Sequence, residues 1–492
     1  MRREHKHKRR TRAQQKTLLL AVISILTLLF AACSPSSITL TEIRVVPIPG
    51  VSTAIVPGDW STYLMDNEHT GFNKAETTIN PTTAPQLKLH WMYHAKDAIS
   101  TQPVVAYGMI FWGSWDGLEH GTDLNGHEVW SVNLGTTSYK QCNPTIGVAS
   151  TAAVAPVTID GITTQVVFVG GGNAHFYALN ASNGQILWQV ALGASPANFL
   201  WASPVLYKGS VYVAISSYGD CPLVQGKLFQ MDAASGVIQH TFNAVPNGCL
   251  GAGIWSTPAI DPSTGYLFLA SSASDPPSCP QKEIYSFAVV ELRASDMTVI
   301  SYWRIPQSER LADGDFGASP TLFTANIGGV SHALVGVAHK NGIYYALDRA
   351  AINKGAVWKF KVAKGGSSPE NGEGSISPSA WDGTTVYIAG GHTEIRETKC
   401  KGSLRALNPA TGIARWEDCL QDGPVLAAVT AVPGLVIVEE GPVFRVINAT
   451  TGKTLFSYKD SQDDSDFYGG ATIAHGVLYI GNMDGNLYAF GL

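Results

Sequence analysis

Short apolar runs separated by turn residues repeat along most of this chain. In residues 166–188, an apolar run (166–169) reaches a glycine cluster, and a second run (176–179) follows. The turn at 180–184 then leads into a third run that ends at Trp188. Apolar runs of this length, interrupted by Gly and Asn, are typical of β-strands joined by tight turns. The stretch therefore predicts three successive strands.

The same pattern recurs about every 40–60 residues, a period that with about four strands per copy is typical of a β-propeller. One residue closes each copy: Trp91, Trp130, Trp188, His240, Trp303, Trp358, Trp416 or Phe456. The last copy, at 478–491, lacks a closing strand, whereas the strand around Trp91 has no copy before it. We therefore predict an all-β, eight-bladed β-propeller. Its ring closes when the N-terminal strand pairs with the C-terminal blade, so that no sheet edge stays open.

The start of the chain differs in composition from the rest. Eight Lys or Arg stand in residues 1–16, and an apolar run over 17–32 stops at Ala31-Ala32-Cys33. A basic start followed by an apolar run too short for a comfortable membrane span is typical of an export signal. This segment resembles a bacterial lipoprotein signal, in which Cys33 receives a lipid. The alternative is an uncleaved signal anchor.

These features predict a lipoprotein signal peptide over 1–32, a flexible Ser-, Thr- and Pro-rich tether over 33–58, and a propeller domain over 59–492. We expect a monomer that a lipid holds on the extracytoplasmic side of the cell membrane. Without residues 1–32 the chain has 25 basic and 37 acidic residues, a formal net charge of −12. Such a charge argues against a nucleic-acid partner, because binding nucleic acid requires a basic face.

Six cysteines remain after Cys33, and an even number in an exported chain is compatible with disulfides. Cys400 and Cys419 flank the strands of one blade and are the pair we expect to be bridged. The alternative is that the six are free buried thiols. The sequence contains no C-x-x-C and no C-x-x-C-H, so we expect neither a zinc knuckle nor covalently bound haem.

Two of the copies carry a motif that indicates a family resemblance. Ala178–Trp188 and Ala406–Trp416 both read A-L-N-x-x-x-G-x-x-x-W. They resemble the pyrroloquinoline-quinone (PQQ) repeat propellers, which include quinoprotein alcohol dehydrogenases and polyvinyl-alcohol dehydrogenases. That family also includes non-enzymatic relatives such as the lipoprotein of the outer-membrane assembly machine. The resemblance covers about residues 58–491 and implies the propeller fold, whereas the repeat alone does not imply the chemistry.

The resemblance also implies a set of site residues. Trp255, in GAGIWSTPAIDP, takes the place of the tryptophan on which the dehydrogenases stack PQQ, and a flat aromatic suits a planar quinone. Lys340, which begins KNGIYYALDR, takes the place of the basic residue that contacts the quinone oxygens. Asp315 or Asp313, in DGDFGASP, takes the place of the base that accepts the alcohol proton. The ordinary alternatives are a core aromatic, a hairpin-turn lysine and turn aspartates.

The metal site of the family is incomplete in this sequence. The dehydrogenases bind Ca²⁺ against PQQ through a Glu and an Asn, which supply the oxygen ligands that Ca²⁺ prefers. The place of the Glu falls on Gly219, and that of the Asn falls near Ala273. Asp220 and Asp275 are the neighbouring carboxylates and are therefore our candidate metal ligands.

Two classes of function stay open. The first is a membrane-anchored oxidoreductase of the quinoprotein type, which would use PQQ and calcium to oxidise a small alcohol or polyol. The second is a non-catalytic propeller that presents its faces to proteins of the cell envelope. The residues that resemble the cofactor site favour the first class, and the missing Glu and Asn favour the second.

Replacing Cys33 by Ser should move the protein from the membrane fraction to the soluble fraction, because the thiol that would carry the lipid is lost. Fractionation followed by a carbonate wash measures this. If the variant stays in the membrane after the wash, the uncleaved signal anchor is the correct interpretation.

Overall fold

Antiparallel sheets, repeated eight times in the described part of the chain, make up the fold. The computed structural model describes residues 55–139, 143–274, 279, 283–460 and 465–492, which belong to a compact unit spanning 50–492. Four strands in chain order form each of the first seven blades, and the strand nearest the ring centre comes first. The prediction of an all-β, eight-bladed β-propeller is confirmed. The predicted signal peptide and Cys33 lie outside the described residues, as does all but the end of the tether.

Blades 1 to 4 follow one another along the chain. Blade 1 contains β2 (Val104–Ala106), β3 (Met109–Gly113), β4 (Leu118–Asp123) and β5 (Glu128–Asn133). Blade 2 contains β8 (Ala153–Ile159), β9 (Ile162–Gly170), β10 (His175–Asn180) and β11 (Ile186–Ala191). Blade 3 contains β13 (Val205–Tyr207), β14 (Ser210–Ser217), β15 (Lys227–Asp232) and β16 (Ile238–Asn243). Blade 4 contains β17 (Ala259–Asp261), β18 (Tyr266–Ala270), β19 (Ala288–Arg293) and β20 (Val299–Arg304).

Blades 5 to 8 complete the ring. Blade 5 contains β21 (Thr321–Ile327), β22 (Val330–Ala338), β23 (Ile343–Asp348) and β24 (Ala356–Lys361). Blade 6 contains β25 (Ala380–Trp381), β26 (Val386–Gly390), β29 (Gly402–Leu407) and β30 (Ala414–Leu420). Blade 7 contains β31 (Thr430–Val432), β32 (Leu435–Glu440), β33 (Val443–Asn448) and β34 (Thr454–Lys459). Blade 8 contains β35 (Thr472–Ala474), β36 (Val477–Gly481), β37 (Asn486–Gly491) and β1 (Lys88–His94).

The remaining elements are short. Strand β12 (Asn198–Phe199) pairs with β14, and two small ribbons join β6 (Thr137–Tyr139) to β7 (Asn143–Ile146) and β27 (Thr393–Ile395) to β28 (Thr398–Cys400). Single 3₁₀ turns occupy Ala84–Gln86, Gln307–Glu309, Ile352–Lys354 and Pro369–Asn371. The described residues include no helix with the length and apolar character that crossing a membrane would require.

The ring closes through the two ends of the domain, as predicted. Strand β1 runs antiparallel to β37, with Trp91 opposite Ala489 and Met92 opposite Tyr488. The N-terminal strand is therefore the outermost strand of the C-terminal blade, and it covers an edge of β37 that would otherwise be open.

A tryptophan from one blade and a turn glycine from the next blade form the recurrent contact between blades. The indole of Trp130, at the closing position of blade 1, lies over Gly184 in the turn of blade 2, and its Nε1 donates to the carbonyl of Ala181 at 2.8 Å. A Cβ added to Gly184 would lie 2.7 Å from that ring, and its φ of +71° also favours glycine. Four further pairs repeat the contact: Trp91 with Gly126, Trp188 with Gly236, Trp358 with Gly412 and Trp416 with Gly452.

Each docked tryptophan also needs a small residue beside it in its own blade. A β-bulge in the outer strand immediately precedes the closing position in every blade, which fixes the register of that position. The residues opposite the five docked tryptophans are Ala489, Gly121, Ala178, Ala346 and Ala406. In blade 4 the register places Ser301 at this position, opposite Glu291. The prediction that Trp303 closes its copy is therefore wrong by two residues.

Two disulfides lie among the described residues. Cys400 and Cys419 are bonded, as predicted, and they tie β28 to the outer strand of blade 6. Cys249 and Cys279 are also bonded, and Cys221 is disulfide-bonded as well. These bonds exclude the alternative of free buried thiols for those five cysteines.

Gly184→Ala should lower the melting temperature more than Gly209→Ala. Both glycines have positive φ, but a Cβ on Gly209 would meet no atom within 4 Å. The left-handed backbone should cost either variant roughly 1–2 kcal/mol, and the contact with Trp130 should add roughly 1–3 kcal/mol in Gly184→Ala alone. Thermal unfolding followed by circular dichroism measures the difference. Equal shifts in melting temperature would show that Gly184 is needed only for the turn conformation and not for the contact with Trp130.

Candidate active site

Polar residues at the inner strand ends link the blades around the centre of the ring. Gln102, Thr151, Ser203, Thr257 and Ser319 each stand two residues before the first strand of their blade. The N–H of each of the first four donates to the side-chain hydroxyl of the next residue of the series, over 2.9–3.1 Å. Because the bonds are direct, they fix the inner ends of five consecutive blades relative to one another.

Two cavities meet at the centre of the ring. The first has a volume of about 330 Å³ and is lined by residues next to the inner strands of all eight blades. The second, of about 590 Å³, shares Trp201, Trp255, Leu426 and Tyr468 with the first. The charged residues that line the second cavity are Asp220, Asp315, Lys340 and Glu370. Residues predicted from different repeats therefore line one cavity.

Trp255 stands at the boundary between the two cavities, and its side chain is only partly buried. Gly317 lies against the indole, where an added Cβ would come within 2.2 Å of the ring and would also contact Ile376. The Nζ of Lys340 lies 5.7 Å from the centre of the indole ring. Trp255 is thus a flat wall of the cavity with a cation nearby, and it is not an aromatic packed wholly between blades.

Lys340 is held by two carboxylates. Its Nζ donates to Asp315 Oδ2 at 2.9 Å and to Asp313 Oδ2 at 3.3 Å. The side chains of Lys340 and Asp315 are 10% and 8% exposed, whereas that of Asp313 is 49% exposed and does not line the cavity. Burial works against the lysine charge, but the two carboxylates outweigh burial and raise the pKa of Lys340.

Backbone contacts hold Asp315 and Lys340 in place. Asp315 Oδ1 accepts the N–H of Ala273 at 3.0 Å, and the carbonyl of Asp315 accepts the N–H of Lys340. His339 contacts the carbonyl of Gly314 at 3.1 Å through Nε2, and burial lowers the pKa of this imidazole to about 4. The neutral imidazole therefore donates from Nε2 and accepts the N–H of Asn341 at Nδ1.

Only one of the two predicted metal ligands lies within the described residues. Asp220 lines the cavity with a φ of +59°, and burial raises the pKa of its carboxyl, with further contributions from the negative charges of Asp315 and Asp313. Asp275 lies outside the described residues. Within the described ranges, no group of three or more His, Cys, Asp or Glu side chains is arranged to hold a metal ion.

The loop over 365–375 lies at the surface, where Glu370 and Asn371 are exposed, and it also lines the cavity. The N–H of Gly366 donates to the carbonyl of Lys340 at 3.0 Å, and a Cβ on Gly374 would lie 2.1 Å from the same oxygen. Pinned in this way, the loop places Glu370 on the cavity wall near Tyr468. Burial, followed by the charges of Asp466 and Glu370, raises the pKa of Tyr468 to about 12, so this phenol is a hydrogen-bond donor at neutral pH.

Sequence reasoning missed both Glu370 and Tyr468, because neither belongs to a repeated motif. The glycines of GGSSPENGEGS are the signal that was available, since closely spaced glycines permit a backbone to approach another backbone.

Comparison with known proteins places the chain among the PQQ repeat propellers. The PQQ_2 family, described as outer membrane protein assembly factor BamB, matches residues 120–275 and 340–492. A polyvinylalcohol dehydrogenase of Pseudomonas sp is 24% identical over 83% of this chain and 71% of its own.

The solved structures that share the fold include an alcohol dehydrogenase and BamB. The quinohemoprotein alcohol dehydrogenase of Comamonas testosteroni aligns with a TM-score of 0.70 at 16% identity, over 89% of this chain and 81% of its own. BamB of Moraxella catarrhalis aligns with a TM-score of 0.53 at 15% identity, over 82% of this chain and 98% of its own.

Lys340→Met should destabilise the fold far more than Asp313→Asn. Removing the ammonium leaves Asp315 buried without its cation, which typically costs about 3–5 kcal/mol. Asp313 is half exposed, so its contribution should be below about 1 kcal/mol. Urea unfolding of the two variants measures the difference. Similarly small effects in both variants would show that solvent in the cavity screens the ion pair, so that it contributes little to the free energy of unfolding.

Proposed function

Because the chain belongs to the PQQ_2 family of propellers, we propose that it is a quinoprotein oxidoreductase that oxidises alcohols in the cavity beside Trp255. The observation that carries the proposal is that Trp255, Lys340, Asp315 and Asp220 line one cavity although blades 3, 4 and 5 supply them. If each of these residues had only a structural role in its own blade, nothing would require all four to line the same cavity. The similarity to a polyvinylalcohol dehydrogenase supports an alcohol or polyol as the substrate.

The cavity suits the ring system of PQQ. A volume of about 590 Å³ lies within the usual range for small-ligand sites, roughly 300–1,000 Å³. The indole of Trp255 offers a flat surface for a planar quinone, and Lys340 offers a donor for its oxygens. Bound there, PQQ would supply the capacity to accept two electrons and a proton from an alcohol.

The chain itself would handle the alcohol proton. Each carboxylate oxygen can accept more than one hydrogen bond, so Asp315 can receive a substrate hydroxyl while it keeps Ala273 and Lys340 as partners. We therefore assign Asp315 as the base that accepts the proton. Asp313 lies outside the cavity lining and contacts Lys340 at 3.3 Å. It is better placed to position that lysine than to contact substrate.

We expect the cofactor to bind together with a divalent cation because of the charges of the cavity. Among the described residues, three carboxylates line the cavity, those of Asp220, Asp315 and Glu370, against the ammonium of Lys340. PQQ is itself a tricarboxylate, so its binding would add negative charge to a site that already has an excess of it. Asp220 and Asp315 are the described carboxylates that could contribute ligands to such a cation, but they do not by themselves make a calcium site. We derive no reaction step from the metal.

The disulfides support an exported protein. Cys249–Cys279 and Cys400–Cys419 form within the domain, and such bonds persist in oxidising compartments. With the lipoprotein-like signal ending at Cys33, they support a domain tethered by lipid to the extracytoplasmic side of the cell membrane.

A second candidate function is a non-catalytic propeller that binds proteins of the cell envelope. The observation that favours it is that the described residues offer no group of three metal donors, combined with the description of the matching family as an assembly factor. This candidate requires the scaffold alone, so a cofactor-binding experiment separates the two functions.

PQQ should bind the purified protein with Ca²⁺ present and bind at least roughly tenfold more weakly with EDTA, because the excess of carboxylates repels the cofactor. Lys340→Met should weaken binding by a similar factor. Lys364→Met is the matched control, since Lys364 does not line the cavity. Equilibrium dialysis measures the affinities.

Reduction of a dye with a panel of alcohols then tests the chemistry. Asp315→Asn should keep PQQ binding but lose dye reduction. If the protein binds no PQQ in the presence of Ca²⁺, the non-catalytic propeller is the correct function.

A further inference from the structure

The seam between blades 3 and 4 lacks the contact that joins most other blades. The closing position of blade 3 holds His240 in place of a tryptophan, and its partner across the strand pair is Gln230 in place of Ala or Gly. The turn of blade 4 that would receive the indole has Met297 in the left-handed conformation, at a φ of +58°, where the docked seams have glycine. All three members of the contact are thus replaced together.

A cavity of about 620 Å³ occupies this seam. His240 and Gln230 line it from blade 3, and Gly265 and Arg293 line it from the turns of blade 4. An indole at position 240 would lie over residue 230 and the blade 4 turn, as Trp130 lies over Gly121 and Gly184. The cavity therefore includes the space that a docked tryptophan fills at other seams.

This cavity is separate from the candidate active site. Its lining lies at the edge where first strands turn into second strands and third strands turn into fourth strands. Lys208 stands in the turn between β13 and β14, and Arg293 is the last residue of β19. Asp220 and Lys340 follow the ends of second strands, at the other edge of their sheets. Because the strands of a blade alternate in direction, the two cavities open on opposite faces of the ring.

The lining presents hydrogen-bonding groups and aromatic rings. Gln230 is 5% exposed, and its Oε1 is buried with no hydrogen-bond partner. Its Nε2 donates to Ser210 Oγ at 3.1 Å, and Ser210 in turn donates to Gln239 Oε1 at 3.1 Å. Tyr207 and Tyr266 stand at the same cavity. A buried acceptor without a donor is unfavourable, so a ligand that brings a hydroxyl hydrogen would satisfy it.

We propose that the seam between blades 3 and 4 binds a polyhydroxylated chain. Hydroxyl groups can donate to Gln230 Oε1 and accept from Arg293, and the C–H faces of such a chain can lie against Tyr266 and Tyr207. An oligosaccharide and a polyvinyl alcohol segment share this chemistry. The site would hold a polymer on the face opposite the candidate active site, and it does not depend on the proposed dehydrogenase function.

Isothermal titration calorimetry with three probes of similar length tests the proposal: a linear glucan oligosaccharide, a polyvinyl alcohol oligomer and a polyethylene glycol. We expect at least one of the two hydroxylated probes to bind, and which one binds identifies the source. Polyethylene glycol has no repeated hydroxyl donor and should not bind. Binding of neither hydroxylated probe, or equal binding of polyethylene glycol, would overturn the proposal.

The triple variant Gln230→Ala, His240→Trp, Met297→Gly rebuilds the contact of the other seams and should abolish binding, because the indole then fills the cavity. Gln230→Leu is the second variant. It removes the unpaired acceptor at similar volume, so it should keep the melting temperature or raise it while weakening binding roughly tenfold. Unchanged affinity in Gln230→Leu would place the ligand elsewhere and overturn the assignment.

Discussion

The contact between a closing tryptophan and the turn glycine of the next blade is the constraint on which the ring depends. Each blade is a small sheet that cannot bury both of its faces alone, so its middle strands require neighbours on both sides. Strand β3 (Met109–Gly113) is buried at every position because adjacent blades cover it, whereas the outer strand β5 (Glu128–Asn133) leaves most positions exposed. The indole bridges the outer edges of two blades, where such burial is weakest, and its N–H satisfies a turn carbonyl.

This contact also explains how much of the fold the sequence predicted. The motif A-L-N-x-x-x-G-x-x-x-W shows Gly184 and Trp188 four residues apart, but the two do not serve each other. Gly184 of blade 2 contacts Trp130 of blade 1, whereas Trp188 of blade 2 packs on Gly236 of blade 3. Because the motif supplies one contact to the preceding blade and one to the following blade, it repeats once per blade. Its period therefore predicted the number of blades and the closure by β1 (Lys88–His94).

The candidate site was less accessible to sequence reasoning. Trp255, Lys340 and Asp315 could be named because each stands in a recognisable segment, whereas Glu370 approaches the cavity only because Gly366 and Gly374 let its loop bond to the backbone of Lys340. That approach is a long-range backbone contact without periodicity. The same limit applies to the bond between Cys249 and Cys279, since six cysteines permit many pairings.

Two of the three seams that depart from the tryptophan contact flank the blades that carry the candidate site, and the third lies between blades 7 and 8, where Phe456 closes blade 7. At the seam of blades 3 and 4 the contact is replaced by Gln230 and His240. At the seam of blades 4 and 5, an ion pair at 3.0 Å between Arg349 and Asp261 crosses from blade to blade.

Glu291 stands beside this second seam, at the place of the small residue, and burial raises its pKa to about 7, although Arg349 opposes the shift. Polar groups thus stand at the closing positions of blades 3 and 4, although the ring of Trp303 still packs against that of Tyr345 in blade 5, with 5.1 Å between their centres. Asp220, Trp255 and Lys340 come from these three blades, and their side chains must keep their relative positions. Natural sequences commonly depart from local rules near functional sites and compensate elsewhere. The hydrogen-bonded series from Gln102 to Ser319 joins the inner ends of blades 1 to 5 both at seams that keep the tryptophan contact and at seams that lack it, so the inner ends do not depend on that contact.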